Sequence, residues 1–138
     1  MNPATRAALL RSLAPVALMG LIFFLSAQPS SGVHPWWEIV ARKLGHVSGY
    51  LLLTLLWAWA LQGAVRRPIL IAVAISLAYA CSDEYHQTFV RGRTGTPVDV
   101  GVDAIGIAIA AWWMTRRRAR IRARRDPSVL RSSPARSP

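Results

Sequence analysis

Four apolar runs, at residues 12–27, 44–61, 69–81 and 100–115, constrain the fold of this 138-residue chain more than any other feature. The stretches LLLTLLWAWAL (51–61) and ILIAVAISLAYA (69–80) leave no polar face at a 3.6-residue period, and a helix of a soluble bundle needs one. Each run is near or slightly below the roughly 20 residues that cross a bilayer core, so the helices are expected to extend about a turn into their flanks. With 53% hydrophobic residues and a mean hydropathy of +0.30, the chain reads as an all-α membrane protein. The expected architecture is a four-transmembrane-helix bundle over residues 12–115. A short N-terminus (1–11) precedes it, and a basic tail (116–138), expected to be disordered, follows. Residues 1–27 also have the outline of a cleaved signal peptide, but Leu25 stands where a small residue is preferred before a cut after Ala27. The lone cysteine, Cys81, excludes an internal disulfide.

Basic residues set the expected orientation. With four spans, thirteen of the 17 Lys and Arg residues fall on one side: Arg6, Arg11, Arg66, Arg67 and the nine arginines from Arg116 to Arg136. Arg42, Lys43, Arg91 and Arg93 fall on the other. The positive-inside rule then places both termini in the cytoplasm. Acidic residues hardly influence insertion, yet Glu38, Asp83, Glu84, Asp99 and Asp103 all fall on the non-cytoplasmic side or just inside its edge. The outer ends of helices 2, 3 and 4 are therefore expected to meet in one polar patch. The arginine cluster after the last span fits a topological anchor that attracts anionic membrane lipids better than it fits a nucleic-acid arm. Trp36 and Trp37 read as an outer interfacial anchor and Trp112 and Trp113 as an inner one, with residues 35–42 expected as a short amphipathic helix on the membrane surface.

The patch is chemically varied. Lys43, His46 and Tyr50 recur at i, i+3 and i+7, which stacks them on one face of helix 2. In helix 3, Asp83 shares a face with His86 or Gln87, while Glu84 is turned about 100° away. Asp, Glu and His together can ligate a divalent metal or serve as an acid–base pair, although the spacing matches no well-defined metal motif. The DEYH string has no companion phosphate loop, which excludes a helicase reading. Arg91 and Arg93 flank Gly92, and such forks either hold phosphate or carboxylate ligands or neutralise Asp83, Glu84, Asp99 and Asp103. Thr96, Pro97 and Asp99 form a helix start with Thr96 as N-cap. Asp103 lies one turn deeper, on the face of Asp99 and Gly106, and Gly106 with Ala110 makes a small-residue stripe for close packing.

FFLSAQP, KLGHVSGYLLL and above all SDEYHQTFVRGRTGTPVDVGVDAIG resemble, in order, the motifs of the VanZ-like family of small bacterial membrane proteins, named for the teicoplanin-resistance protein. The resemblance covers about residues 20–110, and Gly49 stands where it leads one to expect an acidic residue. It implies a polytopic helical protein of the bacterial cytoplasmic membrane with a link to glycopeptide susceptibility and the cell envelope. It carries the family's polar positions onto Lys43, His46, Tyr50, Asp83, Glu84, His86, Gln87, Arg91, Arg93, Asp99 and Asp103. Two functions follow as expectations. In one, an outer-leaflet site binds or modifies an anionic lipid or envelope precursor, with Asp83, Glu84, His86, His46 and Asp103 as chemical groups and the remaining positions as binding groups. In the other, a non-enzymatic envelope factor or small transporter uses the same charges as an interhelical ion-pair lock.

Overall fold

The computed structural model describes residues 2–30, 35–93 and 95–125. Four helices follow one another: α1 (Pro3–Ser26), α2 (Trp36–Ala60), α3 (Pro68–Gln87) and α4 (Pro97–Arg125), with no strand among the described residues. Each is long and apolar enough to cross a membrane. The helices outrun their apolar cores, as expected, and proline sets three of the starts. Pro3, Pro68 and Pro97 open α1, α3 and α4, where a missing N–H is harmless because the first turn's donors have no intrahelical partner. Asn2 caps α1 by accepting from Ala4 N at 3.1 Å.

Two expectations are corrected. Residues 36–42 do not form a separate surface helix; they are the first two turns of α2, which runs unbroken because Gly45 alone supplies no turn between them and the apolar run. Residues 116–125 are helical instead of disordered, the last turns of α4. Arginine and alanine are good helix formers, and this segment continues a helix already nucleated by the span. The rest of the expected tail, 126–138, lies outside the described residues.

α2 is the central element, packing most extensively on α4 and also on α3 and α1, while α1 and α3 meet mainly through side chains. Tyr50, Leu53, Ala80 and Ile107 form the buried core. Small residues permit the close approach: Ala58, Ala72 and Ala80 are buried, as are Gly106 and Ala110 of the expected stripe. Interhelical hydrogen bonds add to packing, from Thr54 Oγ1 to Ser76 Oγ at 3.0 Å and from Tyr79 Oη to the Met19 carbonyl at 2.6 Å. Leu10, Leu13, Phe24 and Leu70 stay exposed on the outside of the bundle, where a spanning protein meets lipid tails.

Helix direction alternates, so the ends of α1 and α3 and the starts of α2 and α4 share one end of the bundle. The other end carries a belt of cations over aromatic rings, with Arg11 5.3 Å from Trp59 and Arg116 and Arg117 each 5.4 Å from Trp112 and Trp113. Trp112 and Trp113 are exposed at this end, and Trp36 and Trp37 at the first end.

Candidate functional site

The polar residues gather at the end of the bundle away from that belt. α2 and α4 face each other there in two rungs. At the mouth, Lys43 Nζ donates to Asp99 Oδ1 at 2.7 Å. One turn deeper, His46 Nδ1 lies 3.0 Å from Asp103 Oδ1. The i, i+3 step on α2 meets the i, i+4 step on α4, which keeps the two pairs in register. A third step brings Gly106 against the α2 backbone, where a Cβ would overlap the Val47 carbonyl oxygen. The rungs exist because α4 can come that close.

α3 contributes a buried carboxylate pair. Asp83 is 1% exposed and Glu84 5%. Asp83 Oδ1 accepts from Ser26 Oγ at 2.5 Å, joining α3 to the end of α1, and Oδ2 accepts from Gln87 Nε2 at 3.1 Å. The helical partner of Asp83 is therefore Gln87, at i+4. His86 turns away, stacked on Phe23 with ring centroids 4.3 Å apart, and its buried Nε2 has no hydrogen-bond partner among the described residues. Glu84 faces α4: Oε2 accepts from Thr96 N at 3.1 Å and Oε1 from Gln87 Nε2 at 3.4 Å. Glu84 thereby binds the backbone N–H that a capping box would give to Asp99. Thr96 Oγ1 still bonds Asp99, accepting from its N–H at 3.3 Å and donating to Oδ2 at 2.8 Å, which leaves Oδ1 for Lys43.

Arg93 departs from the expected pairing with acids. Nε donates to the Gln28 carbonyl at 3.0 Å, Nη2 to the Leu25 carbonyl at 3.1 Å and Nη1 to Gln87 Oε1 at 3.3 Å. The guanidinium caps the C-terminus of α1, where carbonyls lack helical partners and the dipole favours a cation. Partial burial holds its pKa below the ordinary arginine value, and the nearby charge of Arg42 pushes the same way. It stays protonated at neutral pH. Arg91 keeps its side chain exposed and contributes its carbonyl, which accepts from Ser30 N at 3.1 Å. Gly92 makes this loop contact possible, with φ +75° and no room for a Cβ beside the Ser30 carbonyl.

Between these groups lie two adjoining cavities. The first, about 260 Å³, is polar, lined among others by Lys43, His46, Glu84, Gln87, Arg93 and Asp99. The second, about 250 Å³, sits between α1 and α2 and is mostly apolar, lined by Ile22, Leu25, Gly45, Gly49 and Tyr50. Arg42, His46 and Arg93 line both and mark the junction. Gly49, where an acid was expected, forms part of the apolar wall. Tyr50 is fully buried beneath His46, their rings 6.3 Å apart, and its hydroxyl has no partner among the described residues.

Nine of the eleven positions singled out in the sequence thus meet around one site, with His86 behind it and Arg91 at its edge. Ser26, Gln28 and Arg42 join them without having been singled out. Ser26 and Gln28 both lie in the FFLSAQP motif; for Ser26 the polar side chain at the end of an apolar run was the available signal, whereas Gln28 joins through its backbone carbonyl. His46, Glu84 and Asp103, from three helices, bring one ligand atom each within 4.8 Å of one another. The site offers hydrogen-bond donors, buried carboxylates and a histidine around an open volume with an apolar annex. Such a set can hold an anion, a cation or both, and can move protons.

No curated protein and no solved structure matches the chain. The family model described as VanZ/LLP1 matches residues 12–118, which takes in α2, α3, most of α1 and α4, and every group of the site. With four membrane-span-like helices and that match over most of its length, the chain is a membrane protein of the VanZ/LLP1 family.

Proposed function

We propose that this end of the bundle faces outward from the cytoplasmic membrane of a bacterium and holds a phosphate-bearing lipid, either an anionic membrane lipid or a lipid-linked envelope precursor, and that occupancy alters glycopeptide susceptibility. The observation that carries the reading is the pair of neighbouring cavities, one lined largely by charged and polar residues and one mostly apolar, which share Arg42, His46 and Arg93 as lining residues. A charged headgroup fits the first and the start of a chain fits the second. Arg93 spends one hydrogen bond from each of its nitrogens on described residues, which leaves two of its five N–H donors for an oxyanion. The thirteen basic residues on the side of the termini support the orientation. His46 with Glu84 or Asp103 supplies proton-transfer groups should the bound lipid be modified.

The lock reading draws on Lys43–Asp99 and His46–Asp103, which do join α2 to α4. Asp83 and Glu84 instead accept from hydroxyl, amide and backbone donors, so an ion-pair lock accounts for only part of the cluster.

The test is teicoplanin susceptibility of a Gram-positive host expressing the wild type, Asp83→Asn or Arg93→Ala, with membrane abundance measured in parallel. Protection by the wild type and its loss in equally abundant variants is the expected result. An abundant wild type that gives no protection, or variants that protect equally, would separate the site from this phenotype.

A further inference from the structure

We propose that His46, Glu84 and Asp103 form a binding site for one divalent transition ion, Zn²⁺ or Mn²⁺. The three side chains come from α2, α3 and α4, and their ligand atoms lie within 4.8 Å of one another. The His46 Nδ1 to Asp103 Oδ1 separation of 3.0 Å already matches two adjacent ligands about 2.1 Å from a shared ion. Glu84 completes the set by a side-chain shift of about an ångström.

A second observation points to the same ligand. Asp103 is fully buried, and its Oδ2 has no hydrogen-bond partner among the described residues. A carboxylate oxygen removed from water in this way is costly unless something positive meets it. His46 satisfies Oδ1 only. Glu84 beside it is also buried and is held by a backbone N–H and an amide, neutral donors that do not balance its charge. A dication among the three groups compensates both carboxylates at once.

The surroundings fit an ion with open positions. His46 and Glu84 line the polar cavity of about 260 Å³, so water or an oxyanion can complete the coordination from that side. One imidazole and two carboxylates suit Zn²⁺ or Mn²⁺; they offer neither the thiolates of a Cu(I) site nor the oxygen cage of Ca²⁺. The ion also resolves a tension in the lipid reading, because Glu84 and Asp99 line the cavity in which the phosphate is placed. Metal binding rests on the same cavity as that reading, but the ion alone tests it, so either can fail without the other.

The experiment uses full-length protein purified in mild detergent without a histidine tag, stripped with chelator and titrated calorimetrically with Zn²⁺ and Mn²⁺, with metal content measured after desalting. One ion per chain is expected for the wild type. Glu84→Gln and Asp103→Asn, which keep side-chain volume but remove the charge and one acceptor oxygen, are expected to weaken binding by more than about 100-fold, beyond the loss seen when a group only orients a ligand. His86→Gln, at a residue that stacks on Phe23 behind the site, is expected to bind as the wild type does. Because the wild-type stoichiometry is itself decisive, a variant that fails to fold does not remove the test. A wild type that retains no ion, or an ion retained equally by Glu84→Gln and Asp103→Asn, overturns the proposal.

Discussion

Gly106→Ala is expected to destabilise the bundle by about 1–3 kcal/mol, although the change adds a single methyl group to a helix. Alanine is the better helix former by about 1 kcal/mol, so propensity alone would give the opposite sign. The contact decides. An added Cβ would overlap the Val47 carbonyl oxygen and sit 3.1 Å from Leu51 N, and both are backbone atoms of α2 that cannot rotate away. α4 has to retreat, which separates Lys43 from Asp99 and His46 from Asp103 and opens the buried Asp103 to its surroundings. Gly101→Ala, on the same helix with nothing within 4 Å of the added atom, is the control and is expected to stabilise by up to about 1 kcal/mol, the propensity gain alone. Thermal unfolding of both variants in one detergent checks the difference. Equal stability would mean that α2 and α4 do not approach as closely as their packing requires.

Arg93→Lys is expected to cost about 3 kcal/mol, although it keeps the charge. The planar fork reaches three acceptors on two separate segments: the Leu25 and Gln28 carbonyls at the end of α1 and the Gln87 side chain at the end of α3. A lysine ammonium is a single point at the end of a flexible stem and cannot sit within hydrogen-bond distance of all three. Of the abandoned carbonyls, that of Leu25 keeps only a long contact from Gln28 N at 3.4 Å and the cap N–H of Ala27, and that of Gln28 has no other donor among the described residues. Arg91→Lys, whose side chain is exposed, is expected to change stability by less than about 0.5 kcal/mol. Denaturation midpoints of the two variants measure the contrast, and a tolerant position 93 would show that the α1 cap is not formed.

Much of this arrangement was legible in the residues, for reasons specific to each. The spans were readable because lipid-facing helices have no polar face to confuse the period, and the Asp99–Asp103–Gly106 stripe was readable because α4 is continuous helix through those positions. What failed was phase. Asp83 pairs equally well at i+3 and i+4 in sequence, and only the position of α1 decides that Gln87 takes the bond while His86 meets Phe23. The partner of Glu84 was hidden for a related reason, since Thr96 N belongs to a loop whose path depends on the fit of Gly95 against the Glu84 carbonyl. Pairing with the chain's own carboxylates was one of the two readings open for Arg93 because charge is visible in a sequence, whereas carbonyls at a helix end are not. The junction of two cavities at Arg42, His46 and Arg93 belongs to no single segment and could not be read from one.

The most direct test of the ligand site is the binding of a fluorescent long-chain alkyl phosphate to full-length protein in neutral-lipid nanodiscs, compared with the uncharged alcohol of the same length. Saturable binding of the phosphate alone is expected. Arg93→Gln, at the cavity junction, and Gly49→Phe, which pushes a ring into the apolar lobe beside Ile22, are each expected to weaken it by at least about 10-fold, or 1.4 kcal/mol. Equal binding of phosphate and alcohol, or phosphate binding untouched by both substitutions, would contradict a lipid-phosphate site at this end of the bundle.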